Sequence, residues 1–237
     1  MGWVAFFCLF APYRGRGYGK VLFQRCLDYF KEKGVTTIGL DAVVEQKETY
    51  ARRGFKETGR VRVMTKPSLT NDEALGLKTE SVDNLVDLKD VPLEQLVESD
   101  LKHSGMKRSA LWTYEGLLSR PDVSGYALVE DGKLSGWILS RRCQHGWRFG
   151  PLYANTPKEA ATLLRAAIVK TEGTDLDLFT EVWVQNPEAE ILFENLGWSW
   201  ATVDYYRMWV DAKAPAATSP GGAAEKGCFA IFDAAEG

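Results

Sequence analysis

The chain has 237 residues, 45% hydrophobic and 26% charged, enough apolar material for a real core and too little bias for a disordered or fibrous protein. Two His and four Cys without CxxC or HxxxH spacing argue against a structural metal or a disulfide framework, and reduced thiols point to a cytoplasmic protein. The net charge of -3 hides an asymmetry: residues 1–66 hold 13 Lys+Arg against 6 Asp+Glu, and the rest is net -10.

The basic charges of the first segment are divided among a loop, a helix and a strand. That distribution suits a polyanionic small molecule and not a nucleic acid. The apolar run 2–11 is too short to span a bilayer, and its arginines follow it instead of preceding it, so it is no signal sequence and no membrane anchor. Residues 3–10, rich in Trp, Val, Phe and Cys, read as a buried strand ended by Pro12. A glycine-rich turn follows. Leu22, Cys26 and Phe30, with Phe23 and Leu27, then mark an amphipathic helix over 19–33, stopped by Gly34. The run VTTIGLDA reads as a second strand, 45–53 as a short helix closed by Gly54, and 55–66 as a third strand. This order is a compact α/β unit.

Residues 67–77 read as a linker. Beyond it the pattern predicts a strand near 81–87, helices near 92–103 and 109–119, and strands at 124–130 and 134–142. Asp131-Gly132 joins the last two as a hairpin turn. A strand near 147–153 leads to a helix capped by Thr156, Pro157 and Glu159. A strand at 175–184, a helix opened by Asn186-Pro187 and ended by Gly197, and a strand at 198–210 follow. YARRGF (50–55) and LFENLGW (192–198) both close a helix before a strand, and the 3–33 pattern is echoed in 147–172, so the chain reads as an imperfect internal duplication. Residues 212–227 read as a flexible segment, and those after them as a final strand or a loose tail.

Arg14-Gly15-Arg16-Gly17-Tyr18-Gly19-Lys20 sits between a strand and a helix. Glycines there let backbone amides converge on an anion at a helix N-terminus, with three cations close by. The run fits neither GxGxxG nor GxxxxGK[ST]. Arg14-x-x-Gly17-x-Gly19 matches the R/Q-x-x-G-x-G/A signature of the GNAT-type N-acetyltransferases, and YARRGF resembles that family's helix ending. The resemblance covers residues 2–66 as a cofactor-binding half. Residues 78–210 resemble a divergent, complete copy.

The resemblance implies an α/β (α+β) fold, the acetyl-CoA N-acyltransferase fold, with mixed central sheets and flanking helices. Its units would be a partial copy at 1–67, a divergent copy at 78–211 and a tail at 212–237. It implies acetyl-CoA as cosubstrate and a primary amine, a small molecule, as acceptor by direct attack. Amides around Gly15, Arg16, Gly17, Tyr18, Gly19 and Lys20, with Arg14, would grip the pyrophosphate. The 4–10 strand would splay from 36–41 to admit the thioester, whose carbonyl would be polarised by a backbone N–H near Cys8 or Leu9. Tyr50 would protonate the leaving thiolate, since a phenol is protonated at pH 7. Asp41 and Glu45 are lesser candidates for the base and otherwise turn and cap residues. Cys8 as a nucleophile lacks a neighbouring His and reads better as an inert thiol.

The second copy lacks this equipment. Its loop, Ala154 to Lys158, has no glycine, and Pro157 removes an amide donor. Phe193 stands where Tyr50 does. His103 and His145 read as packing or surface residues, and the tryptophans Trp147, Trp183, Trp198, Trp200 and Trp209 with Tyr153 as core filling before a pocket wall. The family's opening strands have no counterpart ahead of Trp3. The sequence therefore reads as a fragment, or its first strand is covered by the second domain, a partner chain or self-association. The competing function is a catalytically silent acetyl-CoA-binding or scaffold protein.

Overall fold

The computed structural model describes residues 1–69, 83–113 and 116–237. The elements begin with β1 (Gly2–Trp3), α1 (Tyr18–Glu32), β2 (Ile38–Val43), α2 (Val44–Ala51) and β3 (Phe55–Lys66). Next come β4 (Leu85–Asp87), α3 (Leu93–Ser104), β5 (Val123–Glu130), β6 (Lys133–Cys143), β7 (Gly146–Ala154) and α4 (Pro157–Val169). The chain ends with β8 (Leu178–Trp183), α5 (Pro187–Asn195), β9 (Ser199–Val210), α6 (Ala224–Gly227) and β10 (Cys228–Ala230).

These strands form one continuous mixed sheet in the order β1-β2-β9-β3-β8-β10-β7-β6-β5-β4, with helices flanking it. The late strand β9 enters between β2 and β3, antiparallel to both. β3 in turn pairs with β8 on its other edge. Local signals explain the elements themselves. Thr156 accepts from the Glu159 amide and Asn186 from the Glu188 amide, each capping a helix with proline in its first turn. Asp131 and Gly132 both take positive φ in the β5–β6 hairpin, as a two-residue turn of this hand requires.

Apolar side chains gather in three clusters. The first, under α4 and α5, holds Leu163, Leu164, Phe193 and Trp198. The second, under α3, holds Trp112, Trp137 and Tyr153. The third, Phe23, Leu40, Ala42, Phe55 and Met208, lies between α1 and the β2–β9–β3 strands. Among the tryptophan candidates, Trp183, Trp198 and Trp209 are buried core, as is Tyr153. Trp147 is partly buried against the first cluster, whereas Trp200 is exposed. No helix among the described residues is long and apolar enough to cross a membrane.

Two segments differ from the sequence expectation. Regular pairing in the first strand stops at Trp3: the Val4 amide still donates to Gly39, after which the chain leaves β2. Phe6 takes a positive φ, and both Phe6 and Phe10 face solvent. An apolar run holds a strand only while a neighbour supplies hydrogen bonds, and past Val4 none among the described residues does. The helix expected at 109–119 is replaced by one-turn 3-10 helices at Ser109–Leu111 and Leu117–Ser119. Trp112, between them, is drawn inward, where its indole N–H reaches Asp100 Oδ2 at 2.8 Å. Much of the 67–77 linker and the start of the 81–87 strand lie outside the described residues.

The C-terminal residues hold the second half closed. β7 and β8 run parallel as neighbours through Phe149 and Thr180, then part. β10 fills the opening, antiparallel to Leu152–Tyr153 on one side and to Val182 on the other. Gly150 permits this seat, because a Cβ there would lie 2.2 Å from the Ile231 carbonyl oxygen. Asn186, besides capping α5, donates from Nδ2 to the Cys228 carbonyl at 3.0 Å. Before β10, residues 212–227 carry one 3-10 turn, Ala216–Thr218, and α6, with Thr218 and Ala224 buried.

Candidate active site

The loop of residues 14–17 delivers the chain into α1. Gly15 and Gly17 have φ of 72° and 84°, a left-handed backbone that costs other residues strain. Gly17 is the N-cap of α1. The Lys20 amide turns back to the Gly17 carbonyl at 3.0 Å, whereas the Tyr18 and Gly19 amides open the helix with no carbonyl one turn earlier to bond. A Cβ on Gly19 would meet Leu9 Cδ1 at 3.2 Å, so glycine lets α1 approach the preceding segment. Arg14 Nε donates to the Leu9 carbonyl at 2.8 Å and fixes the peptide between Leu9 and Phe10.

A cavity of about 370 Å³ opens against this loop, lined by Phe7, Cys8, Leu9, Arg14, Gly19, Lys20, Tyr50 and Arg53 among others. Three cations and the N-terminus of α1 therefore face one space, whose inner wall is the Phe7 and Phe23 rings, edge to face at 5.2 Å. The expected cofactor residues divide accordingly. Cys8, Leu9, Arg14, Gly19 and Lys20 line the cavity. Gly15, Arg16, Gly17 and Tyr18 form the loop beside it, with the Tyr18 ring against Tyr13 at 6.2 Å.

Tyr50 sits on α2 against Phe23 and Phe55, with ring centroids 5.4 and 6.1 Å away. Burial pushes its phenol above the ordinary value, opposed in part by the Arg53 charge. It also lines a second cavity of about 340 Å³, which shares Phe7, Gln46 and Tyr50 with the first. This second space lies where residues 4–7 part from Leu40–Val43 and is closed by Arg148, Glu181, Tyr205 and Asp233.

Sequence reasoning missed these closing residues. Glu181 carried a signal: it is the lone charge in the apolar run LFTEVW. Arg53, which lines the cavity beside the glycine loop, was visible inside YARRGF but unassigned. Of the lesser base candidates, Asp41 is held by Arg207 through two hydrogen bonds of 2.9 and 2.6 Å, and Glu45 is exposed in the first turn of α2. His103 packs flat on Tyr153 at 4.6 Å, with burial pulling its imidazole down to about 4. Among the described residues no group of His, Cys, Asp and Glu is arranged to hold a metal.

A mixed sheet whose neighbouring strands part beside a glycine-rich helix N-terminus defines the fold class of the acyl-CoA-dependent acyltransferases. Acetyltransferase (GNAT) domain models match residues 96–218 and, separately, 3–71, and the chain belongs to that superfamily. It is 28% identical over 177 residues to the holothin acyltransferase of Pseudoalteromonas sp. (strain SANK 73390), an alignment covering 73% of this chain. The chain spans 55% of that relative's length. In fold it is similar to a Pyrococcus horikoshii protein classed with the acetyltransferases (TM-score 0.72, 22% identity, 95% of this chain and 68% of that one). It is also similar to a tandem GNAT protein from the clavulanic acid biosynthesis pathway (TM-score 0.60, 14% identity, 85% and 72%).

Proposed function

We propose that the chain is an N-acetyltransferase that moves acetyl from acetyl-CoA to a primary amine, and that only its first half, 1–67, holds the coenzyme. The observation that carries this reading is the meeting of two cavities at Tyr50, one walled by cations and the other by the carboxylates Asp41, Glu181 and Asp233 together with Arg148. The first fits a pyrophosphate followed by a slender apolar arm: it joins helix amides, Arg14, Lys20 and Arg53 to the Phe7–Phe23 wall. Acetyl-CoA bound there would supply an activated thioester.

The chain's own groups then have definable tasks. The loop amides and cations hold the anion. A backbone N–H near Cys8 or Leu9, on the segment that Arg14 anchors through the Leu9 carbonyl, is offered to the developing oxyanion. Tyr50, its phenol kept protonated by burial, delivers a proton where the two cavities meet.

The second half, 78–211, is read as a divergent copy without a coenzyme. Its loop has Pro157 at the helix start, and the Thr156 side chain already takes the Glu159 amide. The parting of β7 and β8, the counterpart of the parting at β1 and β2, is filled by β10. A covering chain or second copy over the β1 edge belongs to the same proposal, supported by exposed Phe6 and Phe10, and so does a cytoplasmic location, supported by free thiols at the surface (Cys8, Cys143).

Calorimetric titration with acetyl-CoA, followed by thiol release with a panel of primary amines, tests the reading. Saturable binding with amine-dependent thiol release is expected. Binding without turnover would favour a silent coenzyme-binding protein, and no binding would remove the assignment.

A further inference from the structure

Glu181 stands in the centre of β8 with its side chain 6% exposed. Arg148 Nη1 reaches Oε1 at 2.7 Å, and the Ala234 amide donates to Oε2 at 2.6 Å. The residue before Ala234, Asp233, lies 3.1 Å from the same Arg148 nitrogen. One guanidinium group thus serves two carboxylates. The remaining charged and titratable groups facing this point come from β2, β9, β6 and α2. Asp41 on β2 is neutralised by Arg207 on β9, and Tyr205 also lies on β9. Arg141 on β6 reaches Asp233 at 3.3 Å, and Tyr50 on α2 lines the same cavity. Burial raises the Glu181 carboxyl to about 7, the charges of Asp233 and Asp41 adding to the rise while Arg148 and the Ala234 amide oppose it.

The tail is not a loose end at this site. It leaves β10, passes the Ile231 amide to the Glu181 carbonyl at 2.9 Å, and receives the Trp3 indole N–H on the Ala234 carbonyl at 3.1 Å. It finishes with the Glu236 and Gly237 carbonyls on Arg108 Nη1 at 3.0 and 2.7 Å. Asp233, Ala234 and Ala235 are thereby fixed as one wall of the 340 Å³ cavity.

We infer that Glu181 is the catalytic base for the acceptor, and that the C-terminal tail, through Asp233 and the Ala234 amide, holds it in place and forms the cationic acceptor's seat. The inference rests on the proposed acetyl transfer. A primary ammonium seated against Glu181 and Asp233 gives one proton to the Glu181 carboxylate, which later passes it to solvent. The freed lone pair forms the C–N bond as the C–S bond breaks. Sulfur takes the Tyr50 proton, and the second proton lost by nitrogen returns through water to the Tyr50 oxygen. The balance is one amide, one thiol and one proton released.

The test measures kcat/KM against pH for thiol release from acetyl-CoA with the fastest amine of the panel, in wild type, Glu181→Gln and Asp233→Asn. Wild type should show a rising limb centred near 7. Glu181→Gln should lose that limb and at least about 100-fold in kcat/KM, the scale of a lost general base, with acetyl-CoA affinity unchanged. Asp233→Asn should move the limb to lower pH, because a neighbouring negative charge is gone. If Glu181→Gln fails to fold, the Asp233→Asn limb decides.

A substrate-free arm follows the glutamate carboxyl carbons of the whole 13C-labelled chain by NMR. One of them, absent from Glu181→Gln, should titrate near 7 and move down in Asp233→Asn. Glu181 titrating in the ordinary carboxylate range, or equal pH profiles in all three proteins, would overturn the inference. Wild type that binds no acetyl-CoA would instead mark failure of the underlying function, and the two failures are read separately.

Discussion

Asp41 of β2 and Arg207 of β9 face each other across the sheet as a two-point ion pair with both side chains 1% exposed. The guanidinium is stacked between Trp3 and Trp183, 5.0 and 5.2 Å from their rings. The pair therefore ties the first-half strand to the late strand that enters beside it. Arg207→Met would strand the Asp41 carboxylate in the interior and should cost about 3–5 kcal/mol. Adding Asp41→Leu to it should recover part of that loss. Urea unfolding of both variants measures the effect, and a cost below about 1 kcal/mol for the single change would show that water reaches Asp41.

The double change Gly17→Ala and Gly19→Ala should weaken acetyl-CoA binding at least about tenfold, or ~1.4 kcal/mol. The two changes act differently. Alanine at 17 is strained by its φ of 84°, and alanine at 19 pushes on Leu9, 3.2 Å away. Unchanged affinity in a protein with a native circular dichroism spectrum would dismiss the loop as the pyrophosphate site.

Tyr50→Phe keeps the ring against Phe23 and Phe55 and removes only the hydroxyl. Turnover should fall by roughly 10- to 10⁴-fold, nearer the lower figure because a thiolate leaves tolerably unaided. Coenzyme affinity should hold, which marks an interaction made mainly in the transition state. Equal turnover at every pH would take Tyr50 out of the mechanism.

Asn155→Ser and Lys158→Ala, in the second-half loop, should leave acetyl-CoA affinity within about twofold, under ~0.5 kcal/mol. The Thr156 cap remains in both, so the helix start is preserved. A large loss of affinity would move the coenzyme to the second half.

His103 ties stability to acid. Burial lowers its imidazole from the ordinary 6.5 to about 4 in the folded chain. Between those values the unfolded chain binds the extra proton, so stability is lost as pH falls from 6.5 toward 4, by on the order of 3 kcal/mol. Glu181 acts in the opposite sense: raised from 4.5 to about 7, it loses its share as pH rises through that window. His103→Gln should therefore be less stable at pH 7 yet flatter, or inverted, between pH 4.5 and 6.5. Melting curves at half-unit steps would show it, and parallel curves for the two proteins would count against a buried neutral imidazole.

How much of this was legible depended on the range of the signal. Thr156, Asn186 and Asp131-Gly132 act on backbone groups within a few residues, and each does what its type and position imply. Gly17, as a backbone position, was legible for the same reason: it is the left-handed residue that turns the chain into α1. The strand 199–210 was visible from its alternation, but alternation says nothing about a neighbour, so its place between β2 and β3 was hidden. The run 3–10 has the composition of a buried strand yet loses its partner after Val4. Ser109 to Ser119 has helical spacing, but burying Trp112 on Asp100 overrides it. Glu181 could be noticed in sequence, though not interpreted, because Arg148 and Ala234 approach it from 33 and 53 positions away.

The interleaving of β9 between β2 and β3 also bears on how the chain is made. At synthesis rates of about 5–20 residues per second, β2 and β3 are finished well before β9 exists. For roughly seven to thirty seconds they wait with the edges that β9 will join unpaired, and the first-half core lacks Met208. A cut between the halves would therefore leave β2 and β3 without the strand that joins them. Closing such distant pairings is intrinsically slow, so the open edges of the nascent first segment set how long its aromatic residues stay uncovered.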